Sequence, residues 1–206
     1  MISALVLSGG MSIRMGFPKL LLRLGDRSVI QRVVDNALAS QAGEMVVVLG
    51  EAHDRVREEL DEGKVKVVVN HHYLLGMSTS LRAGLEAMNP QAEGAIVLLG
   101  DQPLVGPDVI NAVINKYEET RAPIVAPWSG RRWGNPVLFA RSLFAELAAV
   151  RGDRGGRQVL ARHREEMVLV YPPGDDWWSD LDTWEDYLTL CCRLVVAPEA
   201  RPWTKS

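Results

Sequence analysis

The chain has 206 residues, of which 47% are hydrophobic and 24% are charged, and its formal net charge is −3. This length favours one domain with a substantial core, and the slightly acidic balance favours neither nucleic acid nor a membrane surface as a partner. Residues 1–10 lack the basic start and long apolar run of a secretory signal, and no stretch is long enough to cross a bilayer, so we expect a cytoplasmic protein.

Apolar strands alternate with amphipathic helices over the first 120 residues. The patterns predict strands over 4–7, 45–49, 65–69 and 95–99, and helices over 28–38, 53–62, 78–88 and 107–117. The less regular second part predicts strands over 124–126, 136–139 and 167–171, and helices over 142–150, 158–164 and 183–194. This alternation predicts an α/β domain over 1–195 with a mostly parallel sheet covered on both faces, followed by a tail over 196–206. The adjacent Cys191 and Cys192 are expected to be unpaired thiols in a reducing compartment.

A glycine-rich loop follows the first predicted strand. Ser8-Gly9-Gly10 ends the apolar run, and the cationic Arg14 and Lys19 come next. Glycines let backbone N–H groups approach a ligand closely, and such concave groups of N–H donors bind phosphate oxygens. We therefore predict a polyphosphate site at the carboxyl edge of the first strand. The spacing matches neither a Walker A loop nor a dinucleotide fingerprint, and an ordinary strand-to-helix loop is the alternative.

A carboxylate follows another buried strand at Asp101. Ligands of open α/β sheets lie beyond the carboxyl ends of the strands, so Asp101 and the glycine-rich loop are expected to share one crevice. A triphosphate requires Mg²⁺, which one or two carboxylates hold together with phosphate oxygens. Asp101 is thus a candidate Mg²⁺ ligand, and the alternative is an aspartate that caps a turn or helix.

The loop resembles the signature L-x-G-G-x-S-x-R-M-G-x-x-K of the nucleotidyltransferases that attach a nucleotide to molybdopterin. That family contains molybdenum cofactor cytidylyltransferases and guanylyltransferases, and the resemblance extends from Met1 to about Leu190. It implies a three-layer, Rossmann-like fold of the nucleotide-diphospho-sugar transferase type. It also implies that CMP from CTP is joined to the phosphate of molybdopterin with release of pyrophosphate. Mg²⁺ would be the cofactor and a molybdenum hydroxylase a candidate client.

The resemblance also implies site residues for the nucleotide. The G-M-S-T-S-L segment matches a family segment at the nucleotide pocket, with a helix cap at Ser78 as the alternative. The implied catalytic residues are Arg14, Lys19 and Asp101. The implied nucleotide-binding residues are Leu7, Ser8, Gly9, Gly10, Arg14, Lys19, Ser78 and Ser80.

Three further segments match the family with departures. In G-N-P-V-L-F, Asn135 replaces the usual histidine. In G-D-R-G-G-R, Arg157 is the residue expected to bind the acceptor phosphate. The resemblance assigns both residues to the acceptor site. In D-L-D-T-W-E-D, Trp184 replaces the usual proline. Asp182 is the implied second metal ligand, with Asp180 as the other choice and a helix-capping role for Asp182 or Thr183 as the alternative.

One residue and three segments give conflicting indications of which nucleotide base the protein prefers. Gly9 is typical of the guanylyltransferases, whereas the segments around Ser78, Asp101 and Arg157 resemble the cytidylyltransferases. We therefore predict CTP as the donor with measurable use of GTP, and we expect Gly9→Ala to sharpen the preference for CTP. A sugar-1-phosphate nucleotidyltransferase and a catalytically idle carrier of the molybdenum cofactor are the rival functions.

Overall fold

The computed structural model describes residues 1–10, 15–128, 130, 133–153, 155–173, 177 and 179–200. Arg14, a predicted catalytic and nucleotide-binding residue, lies outside these ranges. The strands in the described part are β1 Ile2–Ser8, β2 Arg23–Leu24, β3 Arg27–Ser28, β4 Glu44–Leu49, β5 Lys66–Val69, β6 Gly94–Leu99, β7 Ile124–Pro127, β8 Val137–Ala140 and β9 Met167–Val170. The α-helices there are α1 Val29–Leu38, α2 His53–Arg57, α3 Met77–Ala87, α4 Pro107–Thr120, α5 Phe144–Ala149, α6 Arg157–Arg162 and α7 Trp184–Leu194.

Seven strands form one sheet in the order β5-β4-β1-β6-β8-β7-β9, and β2 pairs with β3 in a separate hairpin. In the large sheet, β8 is antiparallel to its neighbours β6 and β7, whereas the other pairings are parallel. All seven residues of β1 are buried at the centre of this sheet. The sheet confirms the predicted α/β class, because parallel strands joined through helices need both faces covered.

Alternating side chains of β1 divide the core into two layers. Val6 packs in one apolar cluster with Ile30 of α1 and Ile110 of α4. Leu5 packs in the opposite cluster with Leu81 of α3. Since successive strand side chains point to opposite faces, this division produces three layers: helices, sheet and helices.

Several predicted helices begin or end at other residues than expected. The helix predicted over 53–62 ends at Arg57. Beyond it, the N–H groups of Glu59 and Leu60 donate to carbonyls only three residues back, and Asp61 then turns the chain by accepting from the Gly63 and Lys64 N–H groups. The helix expected to start at Ser78 starts at Met77. Ser78 is therefore not the cap of this helix.

Residues 196–200 of the predicted tail fold back onto the domain. The Glu199 N–H donates to the Tyr187 hydroxyl, which in turn donates to the carbonyl of Arg23. Burial raises the pKa of Tyr187 to about 12, so the hydroxyl stays protonated and keeps donating at any physiological pH. Cys191 and Cys192 are unpaired, as expected. Among the described residues, no helix has the length and apolar character needed to cross a membrane.

The stability that His163 contributes, by joining α5 to the turn before β9, is expected to depend on pH. His163 lies 2.7 Å from Glu166 and 2.8 Å from Glu146, and hydrogen bonds to these two carboxylates raise the pKa of His163. A raised folded-state pKa contributes stability that is complete below the unfolded-state pKa and disappears as the pH rises through the folded-state value. His163→Gln should therefore lower the melting temperature more at about pH 5.5 than at about pH 9, as thermal unfolding followed by circular dichroism will show.

The control for this prediction removes the two partners. In a background carrying Glu146→Gln and Glu166→Gln, the effect of His163→Gln should be the same at both pH values. Equal losses at both pH values in the otherwise native chain would contradict the prediction.

Candidate active site

The site lies where β1 and β6 end side by side. These strands are parallel neighbours with Leu7 opposite Leu99, and the Gly100 N–H donates to the Leu7 carbonyl at 2.9 Å. The chain after β1 and the chain after β6 therefore leave the sheet at the same edge. This register places the start of the glycine-rich loop next to the segment that carries Asp101.

Lys19 lies between two carboxylates at this edge. Its Nζ is 2.7 Å from Oδ2 of Asp101 and 3.0 Å from Oδ1 of Asp182. Only 12% of the Lys19 side chain is exposed, compared with 22% for Asp101 and 37% for Asp182. Three segments far apart in the sequence thus meet in one partly buried ionic cluster.

Burial and ion pairing shift the pKa values of this cluster in opposite directions. Burial disfavours the charge on Lys19, but Asp101 and Asp182 outweigh it and raise the pKa of Lys19 above its ordinary value. Burial raises the pKa of Asp101, Lys19 opposes that shift, and the charges of Asp180 and Asp182 add to it. Lys19 consequently remains a cation, and its positive charge stabilises the ionised form of the neighbouring carboxylates.

The start of α7 separates the two roles considered for the D-L-D-T-W-E-D segment. Thr183 is the N-cap of α7, and Asp186 completes a capping box by accepting from the Thr183 N–H at 2.7 Å. Asp186 also accepts from the Asp182 N–H at 3.1 Å. The capping function therefore belongs to Thr183 and Asp186, and the carboxylate of Asp182 is directed to Lys19. Trp184 forms the first residue of α7 and packs 4.7 Å from the Tyr187 ring, so the missing proline does not prevent the helix.

A cavity of about 540 Å³ lies beside the cluster. Its lining includes both predicted acceptor residues, Asn135 and Arg157, together with Asp180. The buried Gln102, which follows Asp101, donates from Nε2 to Oδ1 of Asp180 at 2.5 Å. The remaining lining residues are Leu7, Met77, Leu81, Val97, Leu99, Trp133, Gly134, Val137, Phe139, Asp153, Gly156 and Leu160. Asp180 and Asp182 therefore lie in different parts of the site: Asp180 lines the cavity, and Asp182 pairs with Lys19.

Gly9 is held by close contacts on two sides. A Cβ on Gly9 would lie 2.5 Å from Oγ of Ser80, and a Cβ on Gly50 would lie 2.7 Å from Cα of Gly9. Ser80 is itself fixed, since its Oγ accepts from Nδ2 of Asn70 at 2.9 Å. An alanine at position 9 would thus displace Ser80 before it could narrow a base pocket.

The start of α3 contacts the loop that leads to Arg157. The Ser78 N–H donates to the Gly152 carbonyl at 3.1 Å, and a Cβ on Gly76 would lie 2.6 Å from Oδ1 of Asp153. Ser78 is 1% exposed, and its Oγ lacks a hydrogen-bond partner in the part of the chain described here. The segments assigned to the nucleotide and to the acceptor therefore pack against each other.

The predicted site residues that the structure describes lie in several different places. Lys19, Asp101 and Asp182 form the cluster, Leu7, Asn135 and Arg157 line the cavity, and Gly9 packs against Ser80. Ser8 is buried beside Gly100 and Ser78 is buried beside Gly152. Gly10 is exposed after β1.

Sequence reasoning did not assign roles to Gln102 or Asn70. It gave the tryptophans Trp128, Trp133, Trp177 and Trp178 two alternative roles: stacking on a pterin ring, or packing in the core or at the rim of the site. Gln102 stood next to Asp101 in a segment that was already singled out, and this adjacency was the available signal. The contacts of Asn70 with Ser80 and the position of Trp133 in the cavity wall depend on packing. Of the other tryptophans, Trp177 is buried in the core and Trp178 lies outside the described residues.

The charged groups can accommodate a divalent cation only with help from a ligand. In the described ranges, no set of three or more His, Cys, Asp or Glu side chains is arranged to hold a metal. Asp101 and Asp182 nevertheless converge on one cationic group, the Lys19 ammonium. Two carboxylates completed by phosphate oxygens are a usual environment for Mg²⁺, so these residues fit such an ion when a nucleotide is bound.

The sheet is mostly parallel, and a glycine-rich loop follows its central strand. A lysine and two carboxylates lie at the same edge. This combination is typical of a nucleotidyltransferase-type α/β domain. The family model described as the MobA-like NTP transferase domain matches residues 4–167. The chain belongs to this family, as the resemblance of its loop indicates.

Known relatives of the chain differ in name and length. The bifunctional protein GlmU of Sorangium cellulosum is 32% identical over 79% of the chain, which spans 36% of the length of GlmU. The nicotine blue oxidoreductase of Paenarthrobacter nicotinovorans is 26% identical, and the match covers 92% of the chain and 96% of that protein. Crystal structures of Rv0371c from Mycobacterium tuberculosis H37Rv are similar as well. One has a TM-score of 0.83 at 31% identity, covering 92% of this chain and 96% of that one. A second, a complex with manganese, has a TM-score of 0.76 at 30% identity and covers 92% and 97%.

The close approach of Gly9 to Ser80 predicts that substitutions at these two positions have non-additive effects on stability. Gly9→Ala should destabilise the chain by ~1–3 kcal/mol, because the added methyl overlaps the Ser80 hydroxyl. Ser80→Ala removes that oxygen, and the remaining Ser80 Cβ lies 3.5 Å from the new methyl carbon, which is ordinary contact. The double variant should therefore lose less stability than the sum of the single variants.

Urea unfolding of the native chain, both single variants and the double variant gives the coupling free energy directly. Ser78→Ala serves as a matched control, because this serine is buried on the same helix without facing Gly9. Additive losses for Gly9→Ala and Ser80→Ala would show that the two positions do not restrict each other.

Proposed function

We propose that the protein transfers CMP from CTP to the phosphate of molybdopterin and releases pyrophosphate. The observation that carries this proposal is the Lys19–Asp101–Asp182 cluster next to a cavity that contains Arg157 and Asn135. The cluster suits a triphosphate with a divalent ion, and the adjoining cavity suits an acceptor that carries an anionic group on an apolar body.

The reaction needs no nucleophilic side chain. An oxygen of the acceptor phosphate attacks the α-phosphorus of CTP, and the bond from that phosphorus to the oxygen bridging to the β-phosphate breaks. The electron pair leaves with pyrophosphate, and the new bond joins the two phosphates as a diphosphate. Because the attacking phosphate is already ionised near neutral pH, catalysis consists of alignment and charge stabilisation.

The chain's own residues divide these tasks by position. Lys19 contributes a positive charge to the triphosphate, as its place after the glycine-rich loop favours. Arg157 binds the acceptor phosphate with its planar fork, and Asn135 adds hydrogen bonds from the cavity wall. Leu81, Val137 and Phe139 exclude water from the acceptor body.

A divalent ion would be held by Asp101 and Asp182 together with phosphate oxygens. When bound, Mg²⁺ neutralises the charge that builds up on the phosphates during transfer. The manganese complex of Rv0371c supports the use of a divalent cation by a chain of this family.

The choice of CTP and molybdopterin rests on the resemblance of several segments to the cytidylyltransferases. Gly9 is the residue typical of the guanylyltransferases, so GTP is the second donor to test. The oxidoreductase relative makes a redox reaction the rival from another class. The charged cluster favours phosphate chemistry, because redox catalysis has no evident use for paired carboxylates around a lysine.

An assay of pyrophosphate release tests the proposal. The protein is incubated with Mg²⁺ and either CTP or GTP, with molybdopterin or a panel of sugar 1-phosphates as acceptors. Pyrophosphate should appear with molybdopterin, with a higher kcat/KM for CTP than for GTP. Asp101→Asn should lower turnover by roughly 100-fold or more while the protein remains folded, since a main charge stabiliser is lost.

Other outcomes identify the rival functions. Release with a sugar 1-phosphate and none with molybdopterin would reassign the acceptor. Tight molybdopterin binding without pyrophosphate release would indicate the idle carrier. A higher kcat/KM for GTP would place the chain with the guanylyltransferases.

Separate variants test the assignment of the two cations. Lys19→Ala should raise KM for CTP more than KM for molybdopterin, whereas Arg157→Ala should do the reverse, because the two residues lie in the cluster and in the cavity respectively. Lys64→Ala and Arg164→Ala are matched controls at exposed positions and should leave both constants unchanged. Equal effects of Lys19→Ala and Arg157→Ala on both substrates would contradict the assignment.

A further inference from the structure

The backbones of the two aspartates around Lys19 are held in place by contacts that do not involve Lys19. The Leu181 N–H donates to the Asp101 carbonyl at 3.1 Å, which ties the segment before α7 to the segment after β6. Asp186 fixes the backbone of Asp182 from the other side, at 3.1 Å. The segments that carry Asp101 and Asp182 would therefore stay together if the ammonium moved away.

Lys19 itself is attached in a way that permits such a movement. Its backbone is fixed at the start of the turn Lys19–Leu21, where its carbonyl accepts from the Leu22 N–H. The long side chain alone carries the ammonium into the position between Asp101 and Asp182. A cation at the end of a long side chain thus lies between two carboxylates whose backbones are held independently of it.

We propose that the Lys19 ammonium occupies the place of a divalent cation between Asp101 and Asp182, and that the phosphates of the nucleotide draw it out. Lys19 would then couple the two ligands: the metal binds weakly to the protein alone and tightly in the presence of nucleotide. This inference rests on the proposed use of a divalent ion at this pair, and it does not depend on the identity of the acceptor.

The physical reason is competition between like charges. The ammonium lies within 3.0 Å of both carboxylates, so a divalent ion entering between them would meet a positive charge at a few ångströms in a partly buried place. A triphosphate offers Lys19 other anionic oxygens, and it adds its own oxygens to the metal. Because coupling between two ligands is reciprocal, the metal strengthens nucleotide binding by the same factor.

Direct titration of Mn²⁺ tests the proposal in the absence of nucleotide and acceptor. Unbound Mn²⁺ is measured by electron paramagnetic resonance for the native chain, Lys19→Met and Lys19→Arg. Lys19→Met should bind Mn²⁺ at least about 10-fold more tightly than the native chain, because the competing charge is gone while the side chain stays similar in size. Lys19→Arg keeps the charge and should bind as weakly as the native chain.

Two controls locate the effect. Adding Asp101→Asn to Lys19→Met should abolish the gain, since one of the two carboxylates is lost. Lys64→Met should change nothing, although its ammonium also lies near a carboxylate, 3.2 Å from Asp61 on the surface. Thermal unfolding shows that each variant is folded, and Lys19→Gln replaces Lys19→Met if the methionine variant is not.

The outcomes are unambiguous. Unchanged or weaker Mn²⁺ binding by the folded, uncharged variant would overturn the proposal, and so would a gain that survives Asp101→Asn. Pyrophosphate release by the native chain without any gain in the variant would reject this inference and leave the proposed function standing. A gain without pyrophosphate release from any acceptor would support the inference and reject the proposed function.

Discussion

The parallel pairing of β1 with β6 is the constraint on which the rest of the site depends. Both strands run through the centre of the sheet and are almost wholly buried, so charged groups can only follow their last residues. The register sets Leu7 opposite Leu99, and the chain beyond each strand emerges at one edge. The backbone therefore brings the glycine-rich loop and Asp101 together before any ionic contact is made.

Close backbone approaches then hold the loops at this edge. Gly50 lies against Gly9, Gly100 lies against the Ser8 side chain, and Gly76 lies against Gly152. A side chain at Gly50, Gly76 or Gly100 would push the neighbouring segment away. The loops are thus fixed by shape, and the ionic cluster does not need to assemble the site. This matters because a partly buried ion pair gives little net stability after the cost of desolvation.

The cavity draws more of its residues from the second half of the chain than the charged cluster does. Two of the three cluster residues adjoin the regular βα units, whereas Trp133, Asn135 and Arg157 come from the less regular second half. Relatives with different names share the fold, and such divergence is expected when loops on a common sheet determine the substrate. In the proposed function, the cavity is consequently the part of the site that selects the acceptor.

The sequence by itself determined the α/β alternation, the seven strands of the large sheet, and the edge at which Lys19 and Asp101 lie. These features depend on local periodicity and on the rule that parallel strands end at one edge. The tertiary structure decided that Asp182 pairs with Lys19 while Asp180 joins Gln102 in the cavity, and that Ser80 restricts position 9. Lys19 is 82 residues from Asp101 and 163 residues from Asp182, so no local pattern records that they meet. Their contacts follow from how separate loops pack, and packing is a property of the whole chain.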